Sequence, residues 1–289
     1  MPLEGARTHP ASGLGRISAR SLGPGAPARY WSAALAALLL AGCVTTSPNG
    51  TTLTPSGEVP HTSKRDEARE AARIHTELGQ QYLASGDLQT ALEKLDKALK
   101  FDPGYAPAHT VIAVVYERIG RPADAEAHYR KAVALQPDKG DFNNNLGAFL
   151  CKAGKTDEGE KYLARAVADP FYATPDVAWT NDGICRLRAG DTAGAQASLR
   201  KAIALNPQNA EALFQLANLN YLDNDMLRAR AFMQRFDALG QPSAAALKLG
   251  HDIESRLGNT DAALDYRRRL HSLFPDSEQA RALDATASP

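Results

Sequence analysis

The chain has 289 residues and equal numbers of basic and acidic side chains, 33 Lys and Arg against 33 Asp and Glu, so its formal net charge is zero. Without a bulk field there is no general electrostatic attraction to nucleic acid, and we expect no nucleic-acid partner. This length suits one extended domain with tails, and only three cysteines are present.

Residues 1–42 have the organisation of a secretory signal peptide. The first thirty residues carry four arginines and a single acid, and an apolar stretch of about eleven residues follows, too short to span a bilayer. Residues 40–43, Leu-Ala-Gly-Cys, resemble the bacterial lipobox, in which the chain is cut before the cysteine and the thiol is lipidated. We therefore predict lipidation of Cys43; the alternative is an ordinary apolar start with an unmodified cysteine. Because Val44 stands where an Asp would resemble an inner-membrane retention signal, the outer membrane is favoured.

Residues 43–64 are rich in Thr, Ser, Pro and Gly. Such a composition is typical of a flexible linker, because it offers too little apolar surface to pack. We predict that this segment tethers the lipid anchor to a folded domain that begins at about residue 65.

From that point the chain repeats with a period of 34 residues. The clearest copy, residues 106–139, reads as a helix, a turn at 119–122, a second helix and a stop at Pro137. The copy before it has matching landmarks at Leu78, Gly79, Tyr82, Ala91, Leu95, Ala98 and Pro103, and the copy after it at Leu146, Gly147, Leu150, Gly159, Leu163 and Ala166. Small residues let two helices approach closely, and stacked copies bury apolar faces that one copy alone leaves exposed.

This period and content resemble the tetratricopeptide repeat. The pattern predicts an all-α fold, a tetratricopeptide-repeat superhelix of about six helix-turn-helix repeats over residues 65–276. The fourth copy is degenerate, because Asp182 stands where a leucine is expected. No stretch alternates with period two, so we expect no strands. Residues 277–289 lack a strong pattern, and we expect this tail to fray.

Two of the cysteines, Cys151 and Cys185, lie one repeat length apart, near the ends of the first helices of their repeats. Equivalent helices are neighbours in a stacked array, close enough for a disulfide, and a secreted chain meets an oxidising periplasm. We predict a disulfide between them. The alternative is a pair of buried free thiols that act as small core residues.

No constellation of residues points to catalysis. The seven histidines are scattered, and there is no His-Glu-x-x-His pair, no nucleophile elbow and no phosphate-binding glycine loop. We therefore expect no enzyme activity, no cofactor, no metal site and no small-molecule substrate.

In tetratricopeptide folds the first helices line a concave groove. The side chains there that the repeat does not need for packing are a mixed polar and apolar set without a basic cluster, which favours an extended segment or a helix with apolar anchors as the ligand. The predicted partner-binding residues are Thr76, Gln80, Thr110, Val114, Asn144, Thr180, Ile184, Phe214, Asn218, Tyr221 and His251.

The stretch 144–151, Asn-Asn-Leu-Gly-Ala-Phe-Leu-Cys, is similar to the Asn-Asn-Tyr-Gly-x-Phe-Leu stretch of the type IV pilus biogenesis and stability lipoproteins, the pilotin-type PilF/PilW family. The long exit loop through Phe171 and the helix around Cys185 also resemble that family, over about residues 70–276. The resemblance implies a lipoprotein on the periplasmic face of the outer membrane that binds the pilus secretin and supports its localisation or multimerisation. The alternative is a general envelope scaffold, an adaptor in barrel assembly or peptidoglycan-enzyme recruitment.

Overall fold

The computed structural model describes residues 63–287. Within that range there are thirteen α-helices and no strand, which confirms the all-α prediction. The predicted signal peptide, Cys43 and the tether up to residue 62 lie outside the described residues. The helices are α1 (Lys64–Ser85), α2 (Leu88–Phe101), α3 (Ala106–Arg118), α4 (Pro122–Leu135), α5 (Gly140–Lys152), α6 (Thr156–Ala168), α7 (Pro175–Arg188), α8 (Thr192–Leu205), α9 (Ala210–Leu222), α10 (Met226–Asp237), α11 (Ala244–Arg256), α12 (Thr260–Leu273) and α13 (Glu278–Ala287).

The first twelve helices form six antiparallel hairpins, each made of an odd-numbered first helix and the even-numbered second helix that follows it. The hairpins turn through a left-handed residue. Gly86 has φ 85° and its N–H donates to the carbonyl oxygen of Leu83, which ends α1. In the fifth hairpin Asn224 has φ 60°, and among the described residues it is the one non-glycine with a positive φ. Asn tolerates this conformation better than most residues with a Cβ, so it can stand at the turn position that the other five hairpins fill with glycine.

Close approach of the two helices holds each hairpin together. A Cβ added to Gly79 would lie 2.6 Å from Leu95 Cγ, and one added to Gly183 would lie 2.6 Å from Leu199 Cγ. Both leucines are fully buried, and such a side chain contributes roughly 1.5–3 kcal/mol when it leaves water. The glycine on one helix therefore makes the space that the leucine on the other helix fills.

Asp182 replaces the expected leucine of the fourth repeat without breaking the helix. Its side chain is buried, and its Oδ2 accepts hydrogen bonds from Arg186 Nε at 2.8 Å and from the Ser198 hydroxyl. A buried carboxylate is tolerated when it is paired and hydrogen-bonded. The degenerate copy therefore exchanges an apolar contact for an ion pair and keeps the same backbone.

The prediction that residues 277–289 fray is wrong for most of that segment, because residues 278–287 form α13. Ser277 caps this helix by accepting a hydrogen bond from the Ala280 N–H at 3.1 Å. Ala280 and Leu283 are buried in a cluster with Leu247 and Leu270, so α13 covers the apolar end of the last hairpin. Terminal repeats of a solenoid need such a cover, because no further repeat stacks on them.

Candidate protein-binding groove

The first helices form the inner layer of the array. Along it, α1 packs on α3, α5 on α7, α7 on α9 and α9 on α11, whereas consecutive second helices make no comparable contact within residues 63–287. Helices that touch lie on the inside of the curve, and helices that are spread apart lie on the outside. We call the inner surface of α1, α3, α5, α7, α9 and α11 the groove.

Three of the predicted groove residues are buried in this structure, so their side chains offer a partner little accessible surface. Thr76 donates to the carbonyl oxygen of Ala72 at 2.7 Å on its own helix. Thr180 is also buried; its hydroxyl donates to the carbonyl oxygen of Asp176 at 2.8 Å and accepts from Asn209 Nδ2 at 3.0 Å.

The third buried residue is Asn144, whose Oδ1 accepts from Asn181 Nδ2 at 2.9 Å. This bond joins α5 to α7, just as the Asn209 bond joins the fourth repeat to the fifth. The polar atoms of Asn144 and Thr180 therefore link neighbouring repeats, whereas the Thr76 hydroxyl bonds within α1. Asn144 therefore connects repeats three and four by a side-chain hydrogen bond.

The other eight predicted residues keep accessible surface. Gln80 is exposed, and Thr110 and Val114 on α3 are half-buried. The remaining five, half-buried on the first helices of repeats four to six, form what we call the groove patch: Ile184, Phe214, Asn218, Tyr221 and His251. The groove patch combines apolar side chains with an amide and an imidazole.

The aromatic members of the groove patch are held by neighbours. The Phe214 ring lies 6.0 Å from the Phe236 ring, centroid to centroid. The Arg256 guanidinium stacks over the Tyr221 ring at 4.3 Å, an interaction that the sequence analysis missed. The two residues are 35 positions apart, one more than the repeat period, and that spacing was the available signal.

Charges in this part of the groove are paired locally. Lys248 Nζ lies 2.6 Å from Asp252 Oδ2, and His251 Nδ1 lies 3.2 Å from the other oxygen of the same carboxylate. Apart from Arg256, whose guanidinium stacks on Tyr221, these contacts leave no cluster of positive charge that would bind an acidic terminus. The apolar anchors and hydrogen-bonding side chains of this part of the groove suit a neutral segment of another protein.

The structure joins Cys151 to Cys185 by a disulfide, with the two Cα atoms 5.2 Å apart. Both cysteines are buried and pack against Leu163. The bond links α5 to α7 next to the Asn144–Asn181 hydrogen bond, so the junction between repeats three and four is held by covalent and polar contacts together.

Among residues 63–287 no three His, Cys, Asp or Glu side chains are grouped so that they could hold a metal ion. In the same range no helix combines the length and apolar character needed to cross a membrane.

Comparison with known proteins gives consistent matches. Tetratricopeptide repeat family models match residues 70–138, and residues 110–173 and 183–244. The chain is 31% identical over 251 residues to the type IV pilus assembly protein PilF of Pseudomonas aeruginosa. The aligned region covers 87% of this chain and 96% of PilF. The crystal structure of PilW, described as a widely conserved type IV pilus biogenesis factor, superposes with a TM-score of 0.67 at 32% identity, over 73% of this chain and 97% of that one. A structure of Pseudomonas aeruginosa PilF gives a TM-score of 0.67 at 30% identity, over 77% of this chain and 99% of that one.

Proposed function

Because the chain belongs to the tetratricopeptide repeat family and is a homologue of PilF and PilW over nearly their whole length, we propose that it acts in type IV pilus biogenesis as a lipid-anchored protein that binds the pilus secretin. The observation that carries this proposal is the match to PilF over 96% of that protein. Repeats alone would support only a protein-binding role, since tetratricopeptide arrays serve many functions. A match over 87% of this chain and 96% of PilF supports a shared task.

The groove supplies the means of binding. The groove patch presents half-buried aromatic and aliphatic side chains beside an amide. Its first helix, α7, is joined to α5 by the disulfide and to the start of α9 by the hydrogen bond between Asn209 and Thr180. Rigid anchors lose little conformational entropy when a partner docks. An extended or helical segment of the secretin, with apolar side chains toward the groove patch, is the proposed ligand.

The lipid supplies the location. The lipobox-like residues 40–43 place a lipidation site at Cys43, and we assign the mature protein to the periplasmic face of the outer membrane. More than one acyl chain is needed for stable anchoring, at about 0.8 kcal/mol per buried CH₂. Anchoring at the membrane where the secretin assembles raises the effective concentration of the groove without any new contact.

Deletion of the gene followed by complementation tests the proposal. Outer-membrane fractions are run on gels that preserve secretin multimers, and surface pili are counted. We expect the deletion to lose multimers and pili, wild type to restore both, and Cys43→Ser to restore neither although the protein is made. Undiminished multimers and intact pili in the deletion strain would refute the assignment.

Pull-down from solubilised envelope separates this function from a general scaffold. The secretin should be the main protein retained by the wild-type chain and should be lost with a groove variant. Barrel-assembly components or peptidoglycan enzymes as the main retained proteins would favour the scaffold instead.

A further inference from the structure

Phe171 is the most exposed of the large hydrophobic side chains in the described residues, at 86%, followed by Leu222 at 69%. It lies in the loop that joins α6 to α7, at the edge of the array opposite the hairpin turns. Isolated exposed leucines and isoleucines are ordinary on protein surfaces. A phenyl ring that is almost completely in water, in the middle of a structured loop, calls for a reason.

The loop is longer than most of its counterparts. Residues 169–174 connect α6 to α7, and residues 238–243 form a connection of the same length between α10 and α11. The equivalent connections at 102–105, 136–139 and 206–209 have four residues each. The extra length carries Pro170 and Phe171 outward, while the next residue, Tyr172, turns back and is buried. Since shorter connections join the same kinds of helices elsewhere in the array, the added residues are not required by the repeat.

Hydrogen bonds hold the loop in one conformation. Asp169 Oδ1 accepts from the Phe171 N–H at 2.9 Å, and Asp169 Oδ2 accepts from the Gly140 N–H at 2.8 Å at the start of α5. These two hydrogen bonds, that of the Gly140 N–H more than that of the Phe171 N–H, lower the pKa of the Asp169 carboxyl, so the carboxyl stays ionised. Tyr172 packs directly against Gly140, since a Cβ added to Gly140 would lie 2.6 Å from the Cβ of Tyr172. This contact holds the loop against α5.

Two adjoining open recesses, of about 540 Å³ and about 300 Å³, border the ring. Both are lined by Pro137, Asp138, Asp169 and Phe171. The exposed ring therefore stands beside open space that the wall of a partner's pocket can enter. Because hydrogen bonds already hold the loop backbone that carries the ring, little backbone conformational entropy is lost when a partner docks, as at interface anchor residues.

We propose that Phe171 is the anchor of a second protein-docking site, which inserts into an uncharged apolar pocket on a folded partner protein. Charge selects this class of partner. The rim carries two cations, Lys139 and Arg165, matched by two anions, Asp138 and Asp169. A balanced rim has no net attraction for anionic lipid or nucleic acid, and it fits a pocket with no net charge. The site is separate from the groove, and a protein that carries both can contact two different partners.

Site-specific photo-crosslinking in cells tests the proposal, with a benzophenone amino acid at position 171 of the full chain. The matched control position is Leu205, which is 55% exposed at the end of the next second helix. We expect one heterologous protein adduct at position 171, absent at 205, with the attachment mapped by mass spectrometry to an apolar, uncharged pocket of that protein. An adduct with a second copy of this chain, an adduct with lipid, or a pattern equal to that at 205 would overturn the proposal.

Binding of the purified partner then measures the anchor. Truncation of an anchor residue typically weakens binding about 30-fold or more. We expect this loss for Phe171→Ala and less than about a twofold change for Leu205→Ala, with unchanged melting temperatures. Equal affinities for the two variants would overturn the proposal. The adduct at position 171 should persist in a Tyr221→Ala chain. Its disappearance there would show that Phe171 and the groove patch belong to a single surface, and it would overturn the proposed second site. This result can be interpreted whatever the outcome of the secretin experiment.

Discussion

Cys151 and Cys185 lie 34 residues apart in the chain, yet their Cα atoms are 5.2 Å apart, because the stacking of repeats three and four places α5 beside α7. The bond closes a loop that contains the whole of α6 and the Phe171 loop. It therefore fixes the junction between repeats three and four, on which the groove and the proposed second site both depend.

Removing this bond should lower the free energy of unfolding. We expect the Cys151→Ala/Cys185→Ala variant to lose about 2–4 kcal/mol, because its unfolded chain is no longer constrained by a closed loop. Urea unfolding of the oxidised wild type, the reduced wild type and the variant measures the difference. The reduced wild type should resemble the variant, and identical unfolding curves for all three samples would contradict the prediction.

Gly183→Ala should destabilise the fold by about 1–3 kcal/mol, even though alanine favours helices by about 1 kcal/mol over glycine. The new methyl group would lie 2.6 Å from Leu199 Cγ and 3.2 Å from the Ala195 carbonyl oxygen, so α7 and α8 must separate. Thermal and urea unfolding give the size of the effect. Gly104→Ala is the control, since an added Cβ there meets Asp102 Oδ1 at 3.3 Å and no closer atom; equal losses for the two variants would show that helix spacing is not the cause.

Tyr221→Ala should weaken partner binding by at least about tenfold if the groove patch is the binding surface, because half-buried aromatic side chains are typical binding hot spots. Tyr162 offers a matched control. It lies on the second helix α6 and is covered by Arg165 at 5.2 Å, much as Tyr221 is covered by Arg256. Surface plasmon resonance with the purified secretin domain compares the two variants. A larger loss for Tyr162→Ala would move the binding surface to the second helices.

Stability should fall in mild acid because of two histidines of the second repeat. His109 Nδ1 lies 3.0 Å from His128 Nδ1, and His109 Nε2 lies 3.2 Å from the carbonyl oxygen of Pro103. Burial, first of all, lowers the pKa of both imidazoles, and the charge of His109 lowers that of His128 further, against the opposing effect of Asp124 and Asp96.

Because their folded-state pKa values are lowered, the two histidines stay neutral in the folded protein at pH values where the unfolded chain, with a histidine pKa of about 6.5, already binds protons. The neutral pair therefore contributes its full stabilisation above about pH 6.5 and loses it as the pH falls below that value. Each proton taken up on unfolding adds a slope of up to about 1.4 kcal/mol per pH unit. We expect the unfolding free energy to decrease between pH 7 and 5, and His128→Gln to flatten that decrease. His251→Gln serves as the control, and a wild-type curve without slope in this range would exclude the effect.

Much of the fold could be predicted because each hairpin is made by contacts within one period. Gly79 and Leu95, or Gly183 and Leu199, pair within a single repeat, so their spacing in the sequence reports the packing directly. The α13 helix escaped prediction for the opposite reason. It is short, and much of its support comes from Ala280 and Leu283 against residues of α11 and α12, although Ser277 was a capping signal that could have been noticed.

The sequence by itself determined the six hairpins, the cysteine pair and a list of candidate groove residues, because those features follow from a local period and from residue size. Only the tertiary structure decided which candidates keep accessible surface. Thr76 and Thr180 are buried, and Asn144 links α5 to α7 by a hydrogen bond. Arg256, which was not among the candidates, stacks on Tyr221 in the groove. The physical reason is that exposure on a first helix depends on how closely the next hairpin stacks and how far it rotates. That spacing is the sum of many small packing contacts across the array, and no single residue in the chain encodes it.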